Sequence, residues 1–369
     1  MSNLARVLAS KGLGPSFIKD VSAVYFDRRR HLGMVRDWIE GTPLHAVLTR
    51  LDASASDGFP SRRLDAIFRG VGVALARFHL LSDDAEFRRG IIERHFPGAL
   101  STPVVFRLLE QWRRDAVLSL LCSRPALENH EVWGSLFAGV IEASRDIDGV
   151  IGVILEQILT PEAAKVVFGH FDVNTNNIIV CNADVDKMER NRAEEVKDEE
   201  RASGGGGGEG GKDEVAEIFL IDEEWAAPNV AIYDFAKFVT SASVLMARKL
   251  TKMTEAELRR GVSLMAEKYL KTMATSESRK TREERGEKTN SEEKVKDFVD
   301  DVWTFVPLAA LTNCFSNLVH ASKEGQMCAA EIPSSDELFQ KPGGAFNWLR
   351  HAQDHLSVFH KHFQSTLEL

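Results

Sequence analysis

The sequence has few cysteines, no excess of basic residues and no secretory signal, and each shortage excludes a class of protein. Its four cysteines lie far apart with no Cys-x-x-Cys pair, which argues against a disulfide framework and against a structural zinc site. It carries 46 Lys and Arg against 55 Asp and Glu, a net charge of −9, so a broad nucleic-acid-binding surface is disfavoured. We therefore expect no nucleic-acid partner and a reducing, cytoplasmic location.

Signals for membrane insertion are also weak. The N-terminus has an amphipathic pattern and lacks the apolar core of a secretory signal. The segment 302–321 has no formal charge over about 20 residues, but it contains Pro307 and several amide, hydroxyl and imidazole groups. We predict that this segment is a buried helix of a soluble protein and that the chain does not insert into a membrane.

What the sequence does contain is a short strand-rich start followed by helical patterns. Residues 3–11 predict a short helix, and 21–26 with 33–39 predict a β-hairpin, which Glu40-Gly41-Thr42-Pro43 then breaks. From about residue 61 onward, apolar residues recur at helical spacing. Further helices are predicted at 104–121, 131–145, 233–249, 255–274, 295–322 and 345–364, and short strands at 166–169, 178–181 and 217–221.

Two stretches do not fit any core. Residues 184–214 and 276–294 are strongly charged, and the first becomes Gly-rich, so neither can bury enough apolar area to offset the entropy of ordering. The five-glycine run of the first stretch is a linker rather than a phosphate-binding loop, because no strand precedes it and no Lys-Ser/Thr helix start follows it. We predict that both stretches are disordered surface insertions.

One polar loop lies between two apolar strands. The strand 166–168 leads into the polar loop, Gly169-His170-Phe171-Asp172-Val173-Asn174-Thr175-Asn176-Asn177, and the chain returns as the strand 178–180. A further apolar strand, 218–221, ends at Asp222. Without the insertion, the connection to that strand is short enough for neighbouring antiparallel strands. We therefore expect the carboxylates of Asp172 and Asp222 to converge at one edge of a small sheet.

This pattern is typical of phosphoryl transfer. A carboxylate orients the attacking hydroxyl and accepts its proton, while an amide and a second carboxylate hold Mg²⁺ on the phosphates of the nucleotide. The residues therefore predict Asp172 as the base, with Asn177 and Asp222 as metal ligands. The competing interpretation is structural: an Asp that caps the loop, an Asn in an Asx turn and an Asp at a strand end.

Two segments, VVFGHFDVNTNNIIV (166–180) and FLIDEEWAAPNVAIYDFAKF (219–238), resemble the catalytic loop and the metal-binding segment of the choline/ethanolamine kinase family. That family belongs to the aminoglycoside-phosphotransferase-like group, which shares the protein-kinase fold. LASKGLGPSF and MVRDWIEGTPL are similar to its passage from helix through hairpin to hinge. The resemblance implies an α+β, two-lobed fold, with a truncated N-terminal β lobe and hinge over 1–44 and a large helical lobe over 45–369.

The resemblance also implies roles for further residues. His170 would brace the polar loop through backbone hydrogen bonds, and Asp234 would anchor that loop from the following helix. The backbone at Trp38-Ile39-Glu40 would receive the adenine of ATP. The role of Glu224 is open between the outer coordination sphere of the metal and the substrate ammonium, and Trp225 is a candidate for the substrate pocket or the core.

The sequence departs from the family pattern at several places. No glycine-rich hairpin or strand Lys precedes Leu13-Gly14-Pro15, and Phe171 and Glu223 stand where Asn and an aromatic residue are usual. The stretch 313–317 lacks the tryptophans that help to cage a quaternary ammonium. We therefore expect an ATP- and Mg²⁺-dependent kinase of a small amino alcohol, ethanolamine ahead of choline. It would catalyse the first step of phospholipid head-group synthesis.

Three alternatives stay open on the sequence. The chain is a pseudokinase or binding module that has lost the lobe that grips the phosphates, or it is an incomplete gene model whose start lies upstream, or it phosphorylates another hydroxyl substrate such as an aminoglycoside. The first two share the expectation that the chain as given binds nucleotide weakly. The expected partner is the small amino alcohol, and homodimerisation is left open.

Overall fold

The computed structural model describes residues 24–26, 32–34, 40–50, 61–99, 103–123, 127–128, 130, 133–145, 147–157, 160–181, 215–222, 225–281, 291–323 and 348–367. Predictions for the helix 3–11, for Trp38 and Ile39, for the insertion 184–214 and for Glu223 and Glu224 lie outside the described residues.

The described residues group into two compact units. The first contains the described parts of Met1–Pro97, Val167–Ala227 and Lys249–Lys296, and the second those of Gly98–Val166, Pro228–Arg248 and Asp297–Leu369. The polar loop, residues 169–177, belongs to the first unit, whereas Asp234 belongs to the second. The domain division at residue 44 stays a prediction.

The secondary structure follows the predicted order of short strands and long helices. The strands are β1 (Val24–Phe26), β2 (Leu32–Met34), β3 (Gly41–Pro43), β4 (Val166–Gly169), β5 (Ile178–Cys181), β6 (Ile218–Leu220) and β7 (Ala227–Val230). The helices are α1 (Leu44–Arg50), α2 (Ser61–His79), α3 (Val104–Cys122), α4 (Trp133–Arg145), α5 (Ile147–Gln157), α6 (Pro161–Ala164), α7 (Ala231–Ala247), α8 (Glu255–Thr281), α9 (Ser291–Lys323) and α10 (Trp348–Leu367). Short helical turns at Leu80–Asp83, Ala85–Phe87, Arg88–Ile92 and Glu93–His95 connect α2 towards α3.

Helix α5 was not predicted from the sequence. Its segment contains Gly149, Gly152 and several β-branched residues, all of which lower helix propensity. Burial of Ile147, Val150 and Ile154 on one side overrides that weak preference. Periodicity alone therefore missed a helix that tertiary packing stabilises.

The sheets of the first unit confirm the hairpin and add a strand that was not predicted. Strands β1 and β2 pair antiparallel, with Val24 opposite Met34. A second sheet has the order β3-β5-β6, antiparallel throughout. Gly41–Pro43 is an edge strand of this second sheet, and this strand was not predicted from the sequence. An edge strand tolerates Pro43, which has no N–H to donate.

Helices α2 and α8 pack closely in the first unit. A Cβ atom on Gly72 would lie 2.2 Å from the carbonyl oxygen of Met265, so glycine is what allows the two backbones to approach. Farther along, buried His79 places Nδ1 2.9 Å from the hydroxyl oxygen of Tyr269. Arg260 forms an ion pair with Asp65 at the other end. The apolar residues that predicted α2 are buried, among them Leu64, Val71 and Leu75.

The predicted insertion 276–294 is wrong at both ends. Helix α8 continues to Thr281, and α9 begins at Ser291. Low apolar content excludes a segment from a core but does not prevent a helix that is anchored elsewhere from continuing. Glu292 and Glu293 in the first turn of α9 also interact favourably with the helix dipole.

The second unit is built around buried helices α7 and α9. Tyr233 packs edge-on against Phe305 with ring centroids 6.2 Å apart, and Phe235 packs against Phe298 at 5.1 Å. Among the described helices, the one over 292–323 is long and apolar enough to cross a membrane by composition, but 83% of its apolar window is buried inside the protein. This burial agrees with the predicted core helix.

A half-buried polar network joins the C-terminal end of α7 to α10 in this unit. Arg248 forms an ion pair with Asp354, and its Nη2 donates to Nδ1 of His351 over 3.2 Å. Burial, together with the neighbouring cations Arg248 and Arg350, lowers the pKa of His351 to about 4. The imidazole is therefore neutral near pH 7, which leaves Nδ1 able to accept this hydrogen bond.

Replacing Gly72 by Ala tests the close approach of α2 and α8. Helix propensity alone favours Ala over Gly by about 1 kcal/mol. We expect the opposite sign, a loss of about 2 kcal/mol in the free energy of unfolding, because the methyl group meets a backbone carbonyl that has no room to move. Urea unfolding measures it.

Gly90→Ala is the matched control, since no atom lies within 4 Å of a Cβ placed there. We expect that variant to be neutral or stabilised by about 0.5 kcal/mol. A Gly72→Ala protein as stable as the Gly90→Ala protein would contradict the packing described above.

Candidate active site

Strand β4 delivers the polar loop from a buried aromatic cluster. The Phe168 ring lies 6.0 Å from that of Phe78, 5.0 Å from that of Phe87 and 6.1 Å from that of Phe96. The buried backbone N–H of Phe168 donates to the Oγ atom of Ser82, which is itself buried. Packing and hydrogen bonding therefore fix the backbone two residues before His170.

His170 connects the start of the polar loop to the end of β6. The side chain is fully buried, and its Nε2 atom lies 2.9 Å from the carbonyl oxygen of Ile221. The carbonyl can only accept, so this bond assigns the proton to Nε2. The ring also lies 5.5 Å from that of Phe78. The structure thus places His170 between two backbone segments, the position from which a bracing role was predicted.

Two residues at the site adopt left-handed backbone conformations without being glycine. Phe171 has a φ angle of 71° and Asp222 one of 65°. Such conformations cost about 1–2 kcal/mol for an ordinary residue, and they concentrate at functional sites. Phe171 is 2% exposed, so its burial offsets the cost. The left-handed turn at Phe171 redirects the chain immediately before Asp172.

Asp172 is half-buried and is held by two side-chain amides. Its Oδ2 atom accepts from Nδ2 of Asn177 at 2.9 Å and from Nδ2 of Asn174 at 3.1 Å. Its backbone carbonyl accepts from the same Asn177 nitrogen at 3.1 Å and from the Asn174 N–H at 2.9 Å. The two donors to Oδ2 therefore restrict the orientation of the carboxylate.

Asn174 is a site residue that the sequence interpretation missed. Its Oδ1 atom accepts from the backbone N–H groups of Asn176, at 2.9 Å, and of Asn177, at 3.2 Å. An Asn at the start of a turn commonly makes this Asx arrangement. Spacing alone did not identify Asn174, because its hydrogen bonds to both Asp172 and the turn form only in the folded loop.

Asn177 and Asp222 come together through the backbone of β5 and β6. Ile178 pairs with Leu220, and the carbonyl of Asn177 accepts from the N–H of Ile221 at 2.9 Å. Asp222 is the next residue, and it is exposed. The structure therefore brings Asp172, Asn177 and Asp222 to the same edge of β5 and β6, as the sequence predicted.

The oxygen atoms at this edge fit a magnesium ion. Because Nδ2 of Asn177 donates to Asp172, its Oδ1 is the atom available to ligate, and Asp222 adds an exposed carboxylate. The described residues contain no group of three or more His, Cys, Asp or Glu side chains arranged for a metal. One or two protein oxygens are usual for Mg²⁺ that is bound together with substrate phosphates.

The segment after the predicted adenine site contacts the polar loop directly. Gly41 of β3 lies opposite Cys181 of β5, and the His45 N–H donates to the Thr175 carbonyl over 2.8 Å. Glu40 is exposed, immediately before β3. The predicted hinge therefore continues into β3, which pairs with β5, the strand after the polar loop.

For two further predicted residues the structure gives the exposure and the unit to which each belongs. Trp225 is 39% exposed in the first unit. Asp234 is buried in the first turn of α7 and belongs to the second unit. Anchoring of the polar loop by Asp234 and a substrate contact by Trp225 stay predictions.

Comparison with solved structures defines the class of fold. The chain is similar to a choline kinase from Cryptosporidium parvum, with TM-score 0.57 and 15% identity over 100% of this chain and 78% of that chain. It is also similar to an ethanolamine kinase from Plasmodium vivax, with TM-score 0.50 and 14% identity over 99% of this chain and 72% of that chain. The fold is therefore a two-lobed, kinase-like α+β fold with a small sheet lobe.

The sequence comparison then gives the family. The sequence profile described as choline/ethanolamine kinase matches residues 63–360, most of the chain. The protein belongs to the choline/ethanolamine kinase family, whose members are small-molecule kinases. A search of curated proteins gives no match.

Ser82→Ala tests how the polar loop is supported. The buried Phe168 N–H would lose its acceptor, so we expect the free energy of unfolding to fall by about 1–3 kcal/mol. Ser263→Ala is the control, because that hydroxyl donates only within its own helix, to the Arg259 carbonyl over 3.1 Å. We expect a change within about 0.5 kcal/mol for the control in urea unfolding. Equal stabilities of the two variants would rule out Ser82 as a support of β4.

Proposed function

We propose that this protein transfers the γ-phosphoryl group of ATP to the hydroxyl of a small amino alcohol, with ethanolamine ahead of choline. The observation that carries the proposal is the placement of Asp172, Asn177 and Asp222 at one edge of β5 and β6. Family membership supports amino-alcohol kinase activity and implies the use of ATP.

Asp172 is the general base in this proposal. Its carboxylate accepts the proton of the substrate hydroxyl while that oxygen forms a bond to the γ-phosphorus. The bond from the γ-phosphorus to the β–γ bridging oxygen breaks, and ADP leaves with that electron pair. The amide donors of Asn174 and Asn177 hold the carboxylate in one orientation, which favours a productive approach of the hydroxyl.

Asn177 and Asp222 are the residues that would hold Mg²⁺. When bound, the ion neutralises phosphate charge and orients the group that is transferred. His170 keeps the two ligands adjacent by binding the carbonyl of Ile221, the residue before Asp222. The backbone before β3, at Trp38-Ile39-Glu40, would receive the adenine.

The preference for ethanolamine has two supports. The polar loop exits through Asn176-Asn177-Ile178-Ile179-Val180, which resembles the ethanolamine branch of the family. The stretch 313–317 contains no tryptophan, so the aromatic cage that favours a quaternary ammonium is reduced. Glu224 would contact the substrate ammonium or the outer sphere of the metal. Cytoplasmic location and homodimerisation stay predictions.

Asp172→Asn tests the assignment of the base. The amide has nearly the shape of the carboxylate but cannot accept the proton, so we expect kcat with ethanolamine and Mg²⁺-ATP to fall about 10²- to 10⁴-fold. The thermal midpoint should stay within a few degrees. Coupled detection of ADP release measures the rate.

Asp300→Asn is the matched control, because Asp300 is exposed on α9, a helix that carries none of the residues assigned to the site. Ethanolamine, choline and an aminoglycoside should be compared as acceptors in the same assay. Turnover with the aminoglycoside and none with either amino alcohol would contradict the proposed substrate. Undiminished turnover in Asp172→Asn would contradict the base.

A further inference from the structure

Gly41 is the first residue of β3 and follows directly on the backbone that is proposed to receive the adenine. A Cβ atom placed on Gly41 would lie 2.2 Å from Cγ2 of Ile179 and 2.7 Å from the carbonyl oxygen of Val180, both on β5. Cβ atoms in proteins essentially never lie within 3.0 Å of such a neighbour. Glycine is therefore what allows β3 to lie this close to β5.

The neighbours of Gly41 on β5 have little room to yield. Ile179 is 8% exposed, and its branching at Cβ restricts the rotamers that it can adopt. Val180 pairs with Ile218 of β6, so β5 is the central strand and is held from its other side as well. A side chain at position 41 would therefore displace β3, which has 3 residues and lies at the edge of the sheet.

The other end of β3 is fixed to the polar loop. The His45 N–H donates to the Thr175 carbonyl over 2.8 Å, and Thr175 is itself buried. Leu44 and Leu48 of α1 are buried too, which anchors the helix that follows β3. A displacement of β3 would therefore be largest at Glu40, on the side of the proposed adenine site.

We propose that Gly41 is a positioning residue for the nucleotide. By allowing β3 to lie against β5, it sets the distance between the adenine-binding backbone, Trp38-Ile39-Glu40, and the polar loop that carries Asp172 and Asn177. This inference rests on the function proposed above. It adds to the nucleotide site a residue that touches no substrate and acts through the backbone of its neighbours.

Gly41→Ala tests the proposal through nucleotide affinity. Hydrogen bonds to the adenine depend steeply on distance and angle, so we expect the Kd for ATP, measured by calorimetry with Mg²⁺, to rise about tenfold. The amino alcohol does not contact the adenine-binding backbone. We therefore expect its KM, measured at saturating ATP, to change by less than about twofold. An unchanged Kd for ATP in a folded Gly41→Ala protein would overturn the proposal.

Gly72→Ala is the matched control for loss of stability. Its methyl group also meets a backbone carbonyl, at 2.2 Å, but on α2, which carries none of the residues assigned to the site. We expect its Kd for ATP to stay within about twofold of that of the parent, although its free energy of unfolding falls. An equal rise of the Kd in both variants would contradict the proposal, because destabilisation alone would then explain the rise.

A second readout separates the base from the phosphates. The amino group at position 6 of adenine donates and N1 accepts, whereas inosine triphosphate carries an accepting oxygen and a donating N1–H on the same triphosphate. We expect the parent to prefer ATP, and Gly41→Ala to reduce the ratio of kcat/KM for ATP over inosine triphosphate by about threefold or more. Gly72→Ala should keep the ratio of the parent. A parent that does not discriminate, or an unchanged ratio in Gly41→Ala, would count against the proposal.

A second variant covers the case in which Gly41→Ala does not fold. Adding Ile179→Ala removes the atom at 2.2 Å and leaves the Val180 carbonyl at 2.7 Å, so β3 is still displaced but by less. We expect the double variant to bind ATP about threefold more weakly than Ile179→Ala alone. Equal affinities of those two proteins would refute the role of Gly41.

The role of Gly41 and the proposed function can fail separately. If ATP binds more weakly to Gly41→Ala but the parent phosphorylates no acceptor, the proposed function fails while the role of Gly41 stands. If the parent phosphorylates ethanolamine and Gly41→Ala binds ATP as tightly as the parent, the role of Gly41 fails while the function stands. A parent protein that binds no ATP would overturn both.

Discussion

The candidate site depends on how Ile221 is held by the polar loop. Its carbonyl accepts from His170 at the start of the loop, and its N–H donates to Asn177 at the end, both over 2.9 Å. The backbone after β6 is thereby connected to both ends of the loop. Asp222 is the next residue, so these two hydrogen bonds determine where the second carboxylate lies relative to Asp172. Because His170 is fully buried, water does not compete for its bond.

Backbone strain at the candidate site is offset by side-chain packing. Phe171 and Asp222 both have positive φ angles, which ordinary residues adopt at a cost of about 1–2 kcal/mol. The cost is offset by burial of Phe171 and by the aromatic cluster around Phe168. Packing thus stabilises the unusual backbone conformations that change the direction of the chain beside Asp172 and Asp222. Asn is usual at position 171 in the family and tolerates such a conformation readily, whereas Phe depends on its packing.

The sequence predicted those parts of the site that produce a recognisable local pattern of residues along the chain. Apolar runs identified β4, β5 and β6, and the spacing of Asp172 and Asn177 between them identified the polar loop. Strand β3 was not predicted, because a proline such as Pro43 usually ends a strand. Only the sheet topology shows that β3 lies at an edge of the sheet. The helical residues 276–281 and 291–294 were not predicted. A high content of charged residues prevents a segment from being buried, but it does not prevent the segment from forming a helix. Asn174 was missed because its importance lies in three-dimensional contacts with both Asp172 and the turn, which spacing does not reveal.

The central claim is that Asn177 and Asp222 act as one metal-binding pair beside Asp172. A double-mutant cycle on kcat/KM with Mg²⁺-ATP, using Asn177→Ala, Asp222→Ala and the double variant, tests it most directly. Residues that share one ion should be strongly non-additive, so the double variant should lose little more activity than the worse single variant. Losses that add as free energies, or a single variant with the activity of the parent, would contradict a shared metal site.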